Sequence, residues 1–289
     1  MCQNESNFDK TNSPHEGMGA VFFLNGLYLP ENEANIHITD LGLLRGYGIF
    51  DFFRAVDGKV LFIEDHLDRF EFSASQFQLK IPYSREKLKE IVQELIVLNK
   101  ASLLGIKMIL TGGYSEDGYS PTTPNFLIIA KPFAFMEKPN GMHLMSLEHL
   151  RELPEIKSLN YMVPILNRSK MIEMGADDYL YHKNGYISEL SRSNVFLVIN
   201  QKIITPSTNI LKGVTRKHIL KIASYNWLVE EREVSLGEAF SADEIFTTGS
   251  TKKVMPITKL DNQPVGNGKI GKITTELSEL FHQYEIVNS

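Results

Sequence analysis

The chain has 289 residues, of which 43% are hydrophobic and 22% charged, and a net charge of -5. That length accommodates two ordinary domains, and the acidity argues against nucleic acid or an anionic membrane as the main partner. The single cysteine, Cys2, excludes an intrachain disulfide and a cysteine-based metal site; no apolar run approaches the ~20 residues of a membrane helix, and a reducing, cytoplasmic setting is expected.

Residues 1–19 are rich in Asn, Ser and Glu and lack an apolar core, so they are expected to be a disordered tail rather than a secretory signal. Val21 to Leu24 and Leu27 to Leu29 read as strands around the Asn25-Gly26 turn, and Ile49 to Val56 with Val60 to Ile63 as a second hairpin across Asp57-Gly58. His66 to Phe77 has helical spacing through Leu67, Phe70 and Ala74. Ser84 caps a further helix reaching Asn99 and carrying Leu88, Ile91, Val92, Leu95 and Ile96 on one face. Ile106 to Thr111 and Phe126 to Lys131 pair around a loop rich in Gly, Ser and Pro, which completes an α+β N-terminal unit. Pro132 to Gly141, with two prolines and an Asn-Gly pair, reads as a linker. Beyond it come a strand at Met142 to Ser146, a helix from Pro164 to Met174 ended by Gly175, and a hairpin turning on Asn184-Gly185. Three further helix or strand segments follow, including a helical run from Arg216 to Ala223.

Three segments carry chemistry. An amine becomes a nucleophile, able to form a Schiff base, only when unprotonated, and Lys157 lies between apolar Ile156 and Leu159, as a desolvated lysine would. Glu189 leaves the Asn184-Gly185 turn on a strand that can hold a carboxylate rigidly, as a protonated ring nitrogen requires. Gly213-Val214-Thr215 opens a helix whose free N–H groups and dipole suit a phosphate. Two other patterns are expected to be structural. Gly266-Asn267-Gly268-Lys269-Ile270-Gly271 has dinucleotide-loop spacing, but the strand and acidic residue that should follow are missing, so it reads as a turn. Ser84-Arg85-Glu86-Lys87 mimics a Ser-x-x-Lys nucleophile yet sits where a helix cap is needed. The eight histidines show no metal-ligand spacing, so no metal is expected.

The order of these segments resembles the class IV, or fold type IV, pyridoxal-phosphate aminotransferases, which include branched-chain and D-amino acid aminotransferases and aminodeoxychorismate lyases. Further matching stretches are Asp40 to Gly48, His66 to Arg69, Ser193 to Phe196 and Thr248 to Thr251, so the likeness runs from about residue 20 to 283. The resemblance implies a two-domain α+β enzyme: a smaller α/β domain over 20–133, a linker over 134–141, and a larger β-barrel-like domain with helices over 142–289. It implies pyridoxal 5'-phosphate as cofactor, Lys157 as its covalent anchor and proton carrier, and Glu189 at the ring nitrogen. Arg69, Leu211, Gly213, Val214, Thr215, Ser250 and Thr251 would serve the phosphate and its surroundings, and Tyr161 the phenolic oxygen. It also implies a homodimer acting on amino acids and 2-oxo acids such as 2-oxoglutarate.

Substrate choice stays open. The D-amino acid branch carries an arginine where this chain has Gly112, so Arg45 and Lys252 stand as candidates for the substrate carboxylate. Phe22 to Gly26 and Gly118-Tyr119-Ser120 are similar to the lyases, which would release pyruvate with the same lysine. A non-catalytic cofactor-binding protein would lack an essential group, whereas Lys157, Glu189 and Arg69 are all present.

Overall fold

A computed structural model describes residues 19–288. The expected tail, apart from Gly19, lies outside the described residues. The first strands, β1 (Val21–Leu24) and β2 (Leu27–Pro30), turn on Asn25 and Gly26, both at positive φ as a tight two-residue turn requires. A short helix α1 (Leu41–Arg45) is capped by Asp40, whose carboxylate accepts the Gly42 N–H at 2.7 Å. Then follow β3 (Gly48–Val56), β4 (Lys59–Val60), α2 (Ile63–Gln76), α3 (Arg85–Asn99), β5 (Leu103–Thr111) and β6 (Phe126–Pro132).

The six strands form an antiparallel sheet in the order β2-β1-β6-β5-β3-β4. Strand alternation decides its two faces. Ile49, Phe53, Ile106, Met108 and Leu110 join Leu67, Phe70, Leu88 and Leu95 of α2 and α3 in one core, where each large side chain contributes roughly 1.5–3 kcal/mol. The residues between them on β3 and β5 turn to the other face, where Phe50 pairs with Ile109 and Phe52 with Lys107. The expected strand through Ile63 ends earlier. Phe62 adopts φ 55°, the chain reverses, and Ile63 opens α2 with Glu64 and Asp65 in the first turn, where the helix dipole favours acids.

Residues 133–141 form neither helix nor strand. After them come β7 (Met142–Glu148), α4 (Met162–Leu166), α5 (Arg168–Glu173), β8 (Asp178–Lys183) and β9 (Tyr186–Leu190). The remainder is richer than the three segments expected: β10 (Asn194–Ile199), β11 (Lys202–Pro206), α6 (Val214–Ala223), β12 (Val229–Arg232), β13 (Val234–Ser235), α7 (Leu236–Phe240), β14 (Glu244–Gly249), β15 (Lys253–Leu260), β16 (Gln263–Pro264) and α8 (Lys272–Val287). The expected helix from Pro164 to Met174 is instead the pair α4 and α5, broken at Asn167, whose side-chain amide donates to the Val163 carbonyl at 2.9 Å.

Ten strands make the second sheet, ordered β12-β11-β10-β14-β15-β7-β8-β9-β13 with β16 beside β15. Strand β7 runs parallel to β8 and β15, and β11 parallel to β12. The sheet curls until β9 comes against β10 and β11, giving a nearly closed barrel. Strand β10 is apolar on both faces because it has two cores to fill. Val195 and Leu197 point into the barrel, whereas Phe196 and Val198 pack outward against Ile219 of α6 and Leu277 and Phe281 of α8.

Candidate active site

The cross-strand pairs Phe50–Ile109 and Phe52–Lys107 of the first sheet face the barrel across a cavity of about 440 Å³. Lys157 enters it from a segment that docks on the start of β3. Phe50 N–H donates to the Lys157 carbonyl at 2.9 Å and Leu159 N–H to the Gly48 carbonyl at 3.0 Å. Gly48 makes this approach possible, since a Cβ there would lie 2.7 Å from Leu159 Cδ1. The Lys157 amine stands 4.5 Å from the Phe50 ring centre. Burial, reinforced by the nearby Arg69 guanidinium, pushes that amine down to about 7, against the pull of Asp51.

Arg69 projects from α2 toward the same space. Its Nε and Nη2 each donate at 2.8 Å to Asp51, which also meets His66 Nδ1 at 2.7 Å. Burial works against the Asp51 charge, but Arg69 and His66 outweigh it and hold the carboxyl far below the usual range. Arg69 therefore faces neither bulk water nor Asp65; that carboxylate turns to Lys217 and His218 of α6 instead. Its third nitrogen, Nη1, remains for a ligand.

Glu189 lies buried on β9, beyond a turn whose Asn184 and Gly185 both have positive φ. One carboxylate oxygen accepts from Arg151 Nε at 2.7 Å and the other from the Leu211 N–H at 3.0 Å. Burial raises its pKa while Arg151 opposes the rise. Arg151 also donates to the carbonyls of Pro154 and Ile156, so it ties Glu189 to the segment that delivers Lys157. Tyr161 lines the cavity edge-on to Phe50, with ring centres 5.6 Å apart, and burial pushes its phenol pKa up.

The far end is a cradle for an anion. Leu211, Gly213, Val214 and Thr215 line it, with Gly213 as the N-cap residue of α6. A Cβ on Gly213 would stand 2.2 Å from Asn194 Oδ1, so only glycine fits beside that amide, which itself donates to the Leu211 carbonyl at 2.8 Å. Ser250 and Thr251 approach from the turn after β14, and Thr248 Oγ1, buried at the same wall, has no hydrogen-bond partner. A phosphate supplies what a helix start and an orphaned hydroxyl lack. Together with a buried amine that gives up its proton readily and a buried carboxylate, these residues fit pyridoxal phosphate.

Two of the expected residues are not brought to the cavity in this chain. Lys252 does not line the cavity: it is buried, with Nζ 2.6 Å from Asp178 and 3.1 Å from Ser193 Oγ. Arg45 is exposed at the end of α1, donates to the Leu44 carbonyl at 3.1 Å, and is likewise absent from the cavity wall. The other ten candidate residues all line it. Sequence reasoning missed Asp51, Lys107, Arg151 and Arg192. A carboxylate interrupting the apolar run of β3 could have pointed to Asp51, and a charge just past the Glu189 strand to Arg192. Nothing local signals Arg151, whose partner lies 38 residues away.

Comparisons with known proteins point the same way. Residues 48–260 match the family model for amino-transferase class IV. D-alanine aminotransferase of Staphylococcus haemolyticus is 31% identical over 278 residues, covering 91% of this chain and 96% of its own. The T.th. branched-chain amino acid aminotransferase complexed with N-(5'-phosphopyridoxyl)-L-glutamate shares the fold, with a TM-score of 0.88 at 24% identity over 94% of this chain and 95% of that one. Branched-chain amino acid aminotransferase from Escherichia coli reaches a TM-score of 0.85 at 25% identity, covering 92% and 94%.

Proposed function

The chain belongs to the class IV aminotransferases, which are pyridoxal phosphate enzymes, and we propose that it moves amino groups between a small amino acid, of D-alanine or branched-chain type, and a 2-oxo acid such as 2-oxoglutarate. The observation that carries this reading is the meeting, in one cavity, of an amine lowered to about 7, a buried carboxylate and a helix-start anion cradle. When bound, the cofactor supplies an electron sink that stabilises charge at the substrate Cα. Lys157 would hold the cofactor through its amine and, when that amine is free, would move the proton at the substrate Cα. Glu189, fixed by Arg151 and the Leu211 N–H, keeps a proton on the ring nitrogen. Arg69 Nη1, the Val214 and Thr215 N–H groups and the Ser250-Thr251 turn hold the phosphate. Phe50, Phe52 and Tyr161 exclude water from the reacting face.

The partner is a second copy of this chain. Helices α4 and α5 have no buried residue, and Met162, Ile165 and Leu166 are each more than 65% exposed, a large apolar surface for a single protein. No helix among the described residues is long and apolar enough to cross a membrane, and the acidic balance fits a cytoplasmic enzyme.

Purified protein is to be incubated with 2-oxoglutarate and a panel of L- and D-amino acids, following glutamate formation, and separately with aminodeoxychorismate, following pyruvate release. Glutamate from at least one amino acid is expected; pyruvate without glutamate would replace the transaminase reading by a lyase. In Lys157→Ala the visible absorption of the amine-bound cofactor should vanish and turnover fall by about 10²-fold or more. A band like that of the wild type would remove Lys157 from its role.

A further inference from the structure

We propose that Arg192, facing Lys107 across the cavity mouth, is the residue that takes the substrate carboxylate, and that the buried Asp178–Lys252 pair positions it from behind. The inference rests on the catalytic reading of this cavity and adds the residue that selects among its substrates.

Five cationic side chains line the cavity, and three have duties already. Arg69 is matched by Asp51, Arg151 by Glu189, and Lys157 is the reactive amine. Arg192 and Lys107 have no carboxylate partner among the described residues. Lys107 is half-buried on β5, its amine 5.4 Å from the Phe50 ring centre; burial, and then the Arg192 charge, lower its pKa. The Arg192 charge is also felt at Tyr161. Two like charges held over an apolar floor are costly unless an anion joins them. In a chain of net charge -5, such a local excess of cation marks an anion site.

The backbone beneath Arg192 is unusually well fixed for an exposed residue. It lies in the connection from β9 to β10, closed by the Leu190 N–H donating to the Ser193 carbonyl at 2.8 Å. Both flanking serines are buried and pinned. Ser191 Oγ donates to Asp178, while Ser193 Oγ accepts from Lys252 Nζ at 3.1 Å and from Thr247 Oγ1 at 2.7 Å. Lys252 in turn bonds Asp178 at 2.6 Å and follows directly on Thr251 of the anion cradle. Thus one buried ion pair fastens the turn that carries Arg192 to the loop that faces the phosphate. The Arg192 side chain itself stays free, and its forked guanidinium matches a carboxylate.

The test uses the holoenzyme and two unreactive probes, glutarate and pentanoate, with binding read by calorimetry. In Arg192→Met the Kd for glutarate should rise on the order of tenfold to a hundredfold, with partial recovery in Arg192→Lys and an unchanged cofactor absorption band. A loss confined to glutarate assigns Arg192 to a second, side-chain carboxylate; a loss for both probes assigns it to the carboxylate every substrate carries. Ser193→Ala, which removes the hydroxyl that Lys252 and Thr247 share, should give a smaller rise in Kd and in KM with kcat preserved. A merely structural role would lower Tm and leave these affinities alone. Unchanged Kd values in Arg192→Met overturn the inference even where amino transfer proceeds. Weakened binding in a protein that transfers no amino group sinks the aminotransferase reading and leaves the anion site standing.

Discussion

An amine attacks a carbonyl carbon only after losing its proton, so the environment of Lys157 decides the pH at which this protein can take up its cofactor. Burial and Arg69 bring that amine from an ordinary 10.5 to about 7. The rate at which apoprotein captures pyridoxal phosphate should therefore climb through pH 7 and flatten above it, as stopped-flow absorbance can follow. A rate still rising tenfold per unit at pH 9 would mean an ordinary, solvated lysine. The same depression has a sign for stability. Between about pH 10.5 and 7 the unfolded chain binds a proton that the folded chain does not, so the apoprotein loses stability as pH falls through that window. At this scale the candidate site was largely legible, because Lys157, Glu189 and Gly213 announce themselves by short local patterns: an amine between apolar neighbours, a carboxylate past a tight turn, a glycine at a helix start. Arg151 and Asp51 were not legible. Their partners lie 38 and 18 residues off in sequence, and a long-range pair leaves no periodic trace. For Lys252, a lysine beside a matching loop looks the same on paper whether it points into a cavity or, as here, to Asp178.

Among the elements, the helix that presents the anion cradle depends on the helix that presents Arg69. Asp65 on α2 accepts from Lys217 and from His218 Nε2 at 2.8 Å, and the His218 ring stacks on Phe62 at 4.0 Å between centroids. This contact sets where α6 starts, and so where the Val214 and Thr215 N–H groups point. Asp65→Ala leaves a buried histidine without its acceptor, so stability should drop by about 1–3 kcal/mol in urea unfolding. The cofactor should also dissociate faster. Equal loss of stability with an unchanged cofactor off-rate would limit Asp65 to scaffolding. Strands and long helices were readable from period alone: β3, β5 and α3 fall where alternation and the Ser84 cap place them. Boundaries escaped where a single backbone angle decided them, as at Phe62, where a left-handed residue converts an expected strand end into a helix start. The paired α4 and α5 escaped because the Asn167 side-chain amide shares the Val163 carbonyl with its own backbone N–H, a local competition that leaves no mark on the helical period.

For the molecule as a whole, catalysis needs the two sheets held at one separation, since the lysine segment docks on the first sheet and the carboxylate belongs to the second. A cluster of charges outside the cavity wall secures this. Arg54 of β3 pairs with Glu285 of α8, whose other oxygen meets Lys253 at 3.0 Å, and the Phe135 ring lies 5.1 Å from Arg54 and 4.8 Å from Lys253. The exterior is less complete than the interior. The same amphipathic logic that buries one face of α3 and α6 leaves α4 with apolar side chains turned to solvent: Met162 is 67% exposed, Ile165 69% and Leu166 77%. Side chains of this kind stay soluble when a symmetric copy covers them, since a two-fold axis makes one patch serve as both surfaces. Light scattering should accordingly give twice the chain mass of 32.8 kDa. Leu166→Glu should give the single-chain mass, because burying two like charges across the axis costs more than the apolar area returns. Because Leu166 does not line the cavity, the monomer should retain the absorption band, so that band and mass separate assembly from chemistry. A wild-type protein of single-chain mass, or a Leu166→Glu protein of double mass, would place the interface elsewhere or remove it.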